Sequence, residues 1–264
     1  MSEDGVFEVS PLSYLWASRR YGFVHWLFGG PDYSRAVEYP LAARLLRARA
    51  GERLLDVGAG CRGEFAALAR AAGLDVTAID EREDVGAEAA DRSLRFQRAD
   101  ARELPFESES FERITAISTL EHIPEGDDRA MAELARVLRP GGRLVITVPF
   151  NPLKRADLYI RGGVYGREGE RVFFERVYDE EELERRLIAP SGLRLAERIY
   201  LGEPGVQLSR LYYSPRGPAR RLRHRIPWGP LFTLLAGRFF RPVQPEEFEI
   251  DDWNGVAAVL AFEK

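Results

Sequence analysis

The chain has 264 residues, 45% hydrophobic and 30% charged, with a formal net charge of -4, which suits one large α/β domain with insertions. A negative balance gives no global case for nucleic acid, and the single cysteine, Cys61, excludes an internal disulfide or a cysteine-based zinc cluster. No run of about eighteen apolar residues is present to span a bilayer, and the acidic start MSEDGVFEV lacks a secretory signal's apolar core, so the expected location is cytoplasmic.

In chain order, Ser10 to Tyr39 comes first, with Tyr14, Trp16, Tyr21, Phe23, Trp26, Phe28, Tyr33 and Tyr39. This density reads as a helical cap over 1–50 that packs apolar stripes on the domain. FGGPDYSR, Phe28 to Arg35, reads as a loop, and Pro40 to Arg49 as a helix.

LLDVGAGCRGEF, Leu54 to Phe65, then reads as a buried strand, a tight turn and the first turn of a helix. Gly58-x-Gly60-x-x-Gly63 lets the backbone turn against a ligand, and Asp56 sets an acid at the strand's carboxyl end, where open α/β sheets bind ligands. LDVTAIDERE predicts a second strand ending in Asp80 and Glu81; Leu94 to Ala99 a third, ending in Asp100; Phe111 to Ser118 a fourth, leading into STLEHIP. A helix over Asp127 to Leu138 precedes a fifth strand, Gly142 to Pro149. Three acids at strand ends suit a ligand with an ammonium, a ribose and an amine better than a pyrophosphate.

Beyond the fifth strand, Phe150 to Val177 carries Gly162, Gly163, Gly166 and Gly169 amid charges and reads as an extended loop near the site. YDEEELERRL predicts a helix, Leu193 to Tyr200 a sixth strand, and GVAAVLAFEK a final apolar strand. Between these two strands, Gly205 to Pro245 holds eight arginines (Arg210, Arg216, Arg220, Arg221, Arg223, Arg225, Arg238 and Arg241) and no acid, so the rest of the chain carries the balance, -12. With the apolar IPWGPLFTLLAGRFF it reads either as a lid or membrane-surface segment, or as a hairpin or homodimer interface.

The motifs LLDVGAGCRGEF, Asp80, RADARELPFESESFERITAISTLEHIP and ELARVLRPGGRLVITVP together resemble the class I S-adenosylmethionine-dependent methyltransferases, closely from Arg53 to Pro149 and weakly onward. The resemblance implies a Rossmann-like seven-stranded sheet with flanking helices and an antiparallel last strand. It implies one domain over 1–264, with a cofactor core at 51–149, further sheet at 150–203 and 255–264, and an insertion at 204–254. The cofactor would be S-adenosyl-L-methionine, leaving as S-adenosyl-L-homocysteine, with no metal.

By motif matching, Asp56, Val57 and the Gly58, Ala59 and Gly60 turn amides hold the amino acid end. Asp80 and Glu81 take the ribose, Asp100 and Ala101 the adenine, and Ser118 and Thr119 border the sulfonium. Tyr33 or Arg35 would reach the methionine carboxylate. His122, after the fourth strand, is either a general base for a hydroxyl or a cofactor-contacting or capping histidine, with Glu121 able to orient it. His25 and His224 fit no metal spacing, and Cys61 reads as a small turn residue.

STLEHIP lacks the proline-aromatic signature of base-amine methylation, and no cysteine suits cytosine-carbon methylation. The expected acceptor is therefore a small, apolar molecule offering oxygen, nitrogen or carbon. Nucleic acid is disfavoured. The alternatives are an NAD(P)-binding Rossmann oxidoreductase and a non-catalytic S-adenosylmethionine binder.

Overall fold

The computed structural model describes residues 5–23, 26–27, 32–161, 170–205, 208–209, 229–244 and 257–264. Its main sheet has eight strands: β1 (Arg53–Val57), β2 (Asp75–Asp80), β3 (Arg95–Arg98), β4 (Phe111–Ile117), β5 (Leu138–Pro149), β8 (Arg194–Gly202), β9 (Arg241–Val243) and β10 (Ala257–Glu263). They lie in the order β3-β2-β1-β4-β5-β10-β8-β9. The first five are parallel, Leu54 facing Val76 of β2 and Leu55 facing Ile114 of β4. The last, β10, inserts antiparallel between β5 and β8, with Leu260 opposite Ile146 and Arg198. The order reverses between β1 and β4, the switch point at whose carboxyl edge a ligand crevice opens.

Alternation along the strands divides the core between two faces. Leu54, Val145 and Val259 join α1 (Pro11–Ser18), α2 (Arg35–Leu46), α3 (Glu64–Ala71) and the helix Gly229–Phe239 on one side. Leu55, Ile146 and Leu260 meet α4 (Asp127–Val137) and the helical stretch 180–191 on the other. In that stretch the Asp179 side chain accepts from the Glu182 amide at 2.9 Å, capping a start made of three glutamates, and a π turn follows over Leu183–Ile188.

Several expectations change. The sheet has eight strands rather than seven, because β9 pairs with β8 as a short edge, Tyr200 opposite Val243. The segment 150–177 is not a plain loop: β6 (Ala156–Arg161) and β7 (Arg171–Val177) form a separate antiparallel hairpin, Leu158 opposite Glu175. Gly162 to Gly169 lie outside the described residues. α2 begins at Arg35, earlier than the expected Pro40, which sits inside it. Asp32 and Ser34 secure that start: the Asp32 carboxylate accepts from the Ser34 amide at 3.0 Å and hydroxyl at 2.8 Å. His25, His224 and most of the 205–245 insertion lie outside the described residues.

Candidate active site

Past β1 the backbone takes φ 76° at Gly58 and 63° at Gly60. A Cβ on Gly58 would stand 2.1 Å from Oγ1 of Thr119, whose hydroxyl donates to the Val57 carbonyl at 3.0 Å. The ends of β1 and β4 are thus locked together. The turn's amides are directed inward: those of Gly58 and Ala59 donate to the Ile79 carbonyl at 2.9 and 3.0 Å, and that of Gly60 to Oδ2 of Asp80 at 2.9 Å. This corrects the expectation that they meet a ligand.

A cleft of about 770 Å³ lies over this turn, a usual size for a ligand site. Of the residues singled out from sequence, Val57, Gly58, Gly60, Asp80, Glu81, Asp100, Ala101, Ser118, Thr119 and His122 line it; Ala59 does not. Asp80 is fixed at its floor by the Gly60 and Arg82 amides, one on each carboxylate oxygen, at 2.9 and 3.0 Å. Asp100 is paired with Arg102, Nε to Oδ1 at 2.9 Å and Nη2 to Oδ2 at 2.8 Å, and hydrogen bonds from that guanidinium hold its carboxyl below the ordinary range.

Asp56 and Tyr33 are placed elsewhere. The Asp56 carboxyl is buried behind the turn, accepting from the Thr115 hydroxyl at 2.8 Å and from the Ala66 amide, and burial pushes it up to about 7. It positions the start of α3 and does not line the cleft. Tyr33 packs on Phe240 and gives its hydroxyl hydrogen to Glu203, so its polar end is directed away from the cleft.

Four arginines also line the cleft: Arg35, Arg82, Arg98 and Arg102. Only Arg35 entered the sequence reading. Their partners are Glu38, Asp84, Glu83 and Asp100. The close spacing of Arg82 with Asp84 and of Asp100 with Arg102 was the available signal. Arg35 reaches across to β4, donating to Oγ of Ser118 at 2.6 Å. Ser118 itself takes φ 46°, held there by its amide's bonds to the Thr147 carbonyl and hydroxyl, both at 3.0 Å.

Beyond Ser118, a 3₁₀ turn over Leu120–His122 meets the β6–β7 hairpin. Nδ1 of His122 lies 2.6 Å from the Phe174 carbonyl oxygen, and the two rings are 5.3 Å apart. A carbonyl oxygen only accepts, so Nδ1 carries the proton and the neutral ring keeps its basic lone pair on Nε2. Burial lowers the His122 pKa, so the ring is neutral near pH 7. Beside it, Glu121 is 1% exposed, and its Oε2 has no hydrogen-bond partner among the described residues; burial and the Glu175 charge push its carboxyl up. On β7, burial raises Glu175 to about 7.

Comparison with known proteins agrees with this geometry. A family model described as a methyltransferase domain matches residues 55–146. The chain is 40% identical over 121 residues to methyltransferase GfsG of Streptomyces halstedii, covering 43% of this chain and 40% of that one. It is 40% identical over 114 residues to the 27-O-demethylrifamycin SV methyltransferase of Amycolatopsis mediterranei, covering 39% and 41%. The matched segment thus spans about two fifths of the length of these relatives. Among solved structures, the [4+2]-cyclase SpnF has the same fold, with TM-score 0.58 at 20% identity over 98% of each chain. With the glycine turn, the strand-end acids and the antiparallel last strand around it, the segment 55–146 is a methyltransferase domain of the class I S-adenosylmethionine-dependent type.

Proposed function

We propose that the chain methylates a hydroxyl oxygen of a small, apolar acceptor, with His122 removing the hydroxyl proton. The observation that carries this reading is the His122 bond to the Phe174 carbonyl: it leaves a neutral imidazole with its lone pair on Nε2 in a residue that lines the cleft beside Ser118 and Thr119. The relative named for 27-O-demethylrifamycin SV supports an oxygen acceptor.

The cleft residues fit the cofactor. Asp80 suits ribose hydroxyls, and Asp100 with the Ala101 amide suits adenine. The Gly58 carbonyl, which no donor among the described residues reaches, suits an ammonium. Arg35, one of the two residues offered for the carboxylate along with Tyr33, lines the cleft and suits that role. When bound, S-adenosylmethionine supplies an electrophilic methyl on a sulfonium. With it in place, His122 would take the acceptor's proton on Nε2 while the methyl passes from sulfur to the acceptor oxygen and S-adenosylhomocysteine leaves with the S–C electron pair, the cleft walls holding the two partners in line and excluding water. A dinucleotide is disfavoured, because the turn amides that would cradle a pyrophosphate are already given to Ile79 and Asp80.

The test is incubation with methyl-labelled S-adenosylmethionine and a panel of apolar hydroxylated compounds. Label recovered as a methyl ether, and lost in His122→Ala, is expected. Label on carbon or amine, undiminished in His122→Ala, would overturn the assignment.

A further inference from the structure

Five of the seven large apolar side chains left exposed among the described residues belong to two adjacent segments: Leu12, Trp16 and Phe23 at α1, and Leu231 and Leu234 on the helix Gly229–Phe239. Scattered exposed apolar residues need no explanation; a cluster does. Both helices have satisfied cores beneath them. α1 buries Tyr14, Leu15 and Ser18 and presents Leu12 and Trp16 one turn apart, followed by exposed Arg19 and Arg20. The second helix buries Thr233 and Ala236 and presents Leu231, Leu234 and Arg238 at three- and four-residue spacing. The exposed stripes are therefore surplus to folding.

The outer layer at α1 is organised. The Arg19 guanidinium lies over the Trp16 ring at 5.8 Å and the Phe23 ring at 5.5 Å. Phe23 stacks on Trp26 at 5.8 Å, and the Trp26 indole N–H donates to the Leu15 carbonyl at 2.8 Å, tying the stack to α1. An indole and an arginine held together at the surface offer an apolar body with a charged tip, the combination favoured at the boundary between acyl chains and headgroups.

Charge selects the occupant. Among the described residues, the segments 9–23 and 229–244 expose Arg19, Arg20, Arg238 and Arg241 and hold no acid. A second copy would bring arginines against arginines, with no acid in either stretch to offset them. Anionic headgroups complement the surface, and the leucines and Trp16 supply apolar insertion. No helix among the described residues is long and apolar enough to cross a bilayer, so the contact is with its surface. We propose that α1, Phe23 and the helix Gly229–Phe239 together form a docking face for an anionic lipid membrane. Both helices pack on α2, whose first residue, Arg35, lines the cleft, so the docked face lies one helix layer from the site.

The test uses the full chain, sedimented with phosphatidylcholine vesicles with and without a phosphatidylglycerol fraction. Its variants are Trp16→Glu/Leu234→Glu and Arg19→Gln/Arg238→Gln, with thermal unfolding as a check on folding. Binding to the anionic vesicles, weakened by salt and by at least about tenfold in each folded variant, is the expected result. The proposal is overturned if folded wild-type protein ignores anionic vesicles, if both variants bind as wild type does, or if the face instead mediates a salt-resistant dimer that Trp16→Glu/Leu234→Glu dissolves.

Discussion

Nδ1 of His122 donates to the carbonyl oxygen of Phe174 at 2.6 Å, joining the end of β4 to the β6–β7 hairpin. Because the acceptor is a backbone carbonyl, the tautomer is set by the fold of the hairpin rather than by a side chain. Replacing His122 by Ala should lower turnover by about 10²- to 10⁴-fold while leaving the affinity for S-adenosylhomocysteine unchanged. A matching loss of affinity would assign the ring to cofactor contact instead. With burial lowering its pKa, the wild-type rate should rise with pH through an inflection below the ordinary histidine value of about 6.5 and be flat near neutrality.

The two turn glycines should differ in their response to alanine. At Gly58 the new methyl meets three side-chain atoms of Thr119 between 2.1 and 2.7 Å, on top of an unfavourable φ, and the cost should be about 3 kcal/mol or more. Thr119→Gly should recover part of it. At Gly60 nothing lies within 4 Å, so alanine should cost only about 1 kcal/mol, from φ alone. Urea unfolding of the three variants measures this; equal losses at Gly58 and Gly60 would refute the packing account.

Stability should fall as pH rises from about 4 to 7. Burial raises Asp56 and Glu175 to about 7, so the folded chain holds protons that the unfolded chain has already released, and deprotonation then costs stability. Glu112 acts oppositely: against its burial, hydrogen bonds from Arg53 and Arg139 hold it at about 2, giving stability that is lost as pH falls from about 4.5 toward that value. Glu175→Gln should therefore stabilise the protein at pH 8 by about 1–3 kcal/mol and flatten the profile between pH 5 and 7. Chemical denaturation across that range checks the slope.

How much of this was legible in sequence depended on how local each signal was. The glycine turn after β1 and the first four strands follow from alternation punctuated by glycine and acids and lie where they were expected, whereas β5 begins at Leu138 rather than Gly142. The use of the turn amides was hidden, because it depends on the Ile79 carbonyl of a neighbouring strand. The Tyr33 bond to Glu203 has no local signal in sequence, because its partner is 170 residues away. The hairpin was missed because glycines and charges between β6 and β7 mask two short alternating runs, ADLYIR and RVFFERV. With it went the partner that fixes His122, a backbone atom with no sequence signature.

The most direct test of the central claim is calorimetric titration of the purified protein with S-adenosylhomocysteine and, separately, NAD, for wild type and Asp80→Ala. Asp80 fixes both the Gly60 and Arg82 amides and lines the cleft, so wild type should bind the adenosyl ligand and not NAD, and Asp80→Ala should weaken binding at least about tenfold. Preference for NAD, or no adenosyl binding by the folded wild-type chain, would contradict the methyltransferase reading; unchanged affinity in Asp80→Ala would contradict the ribose assignment.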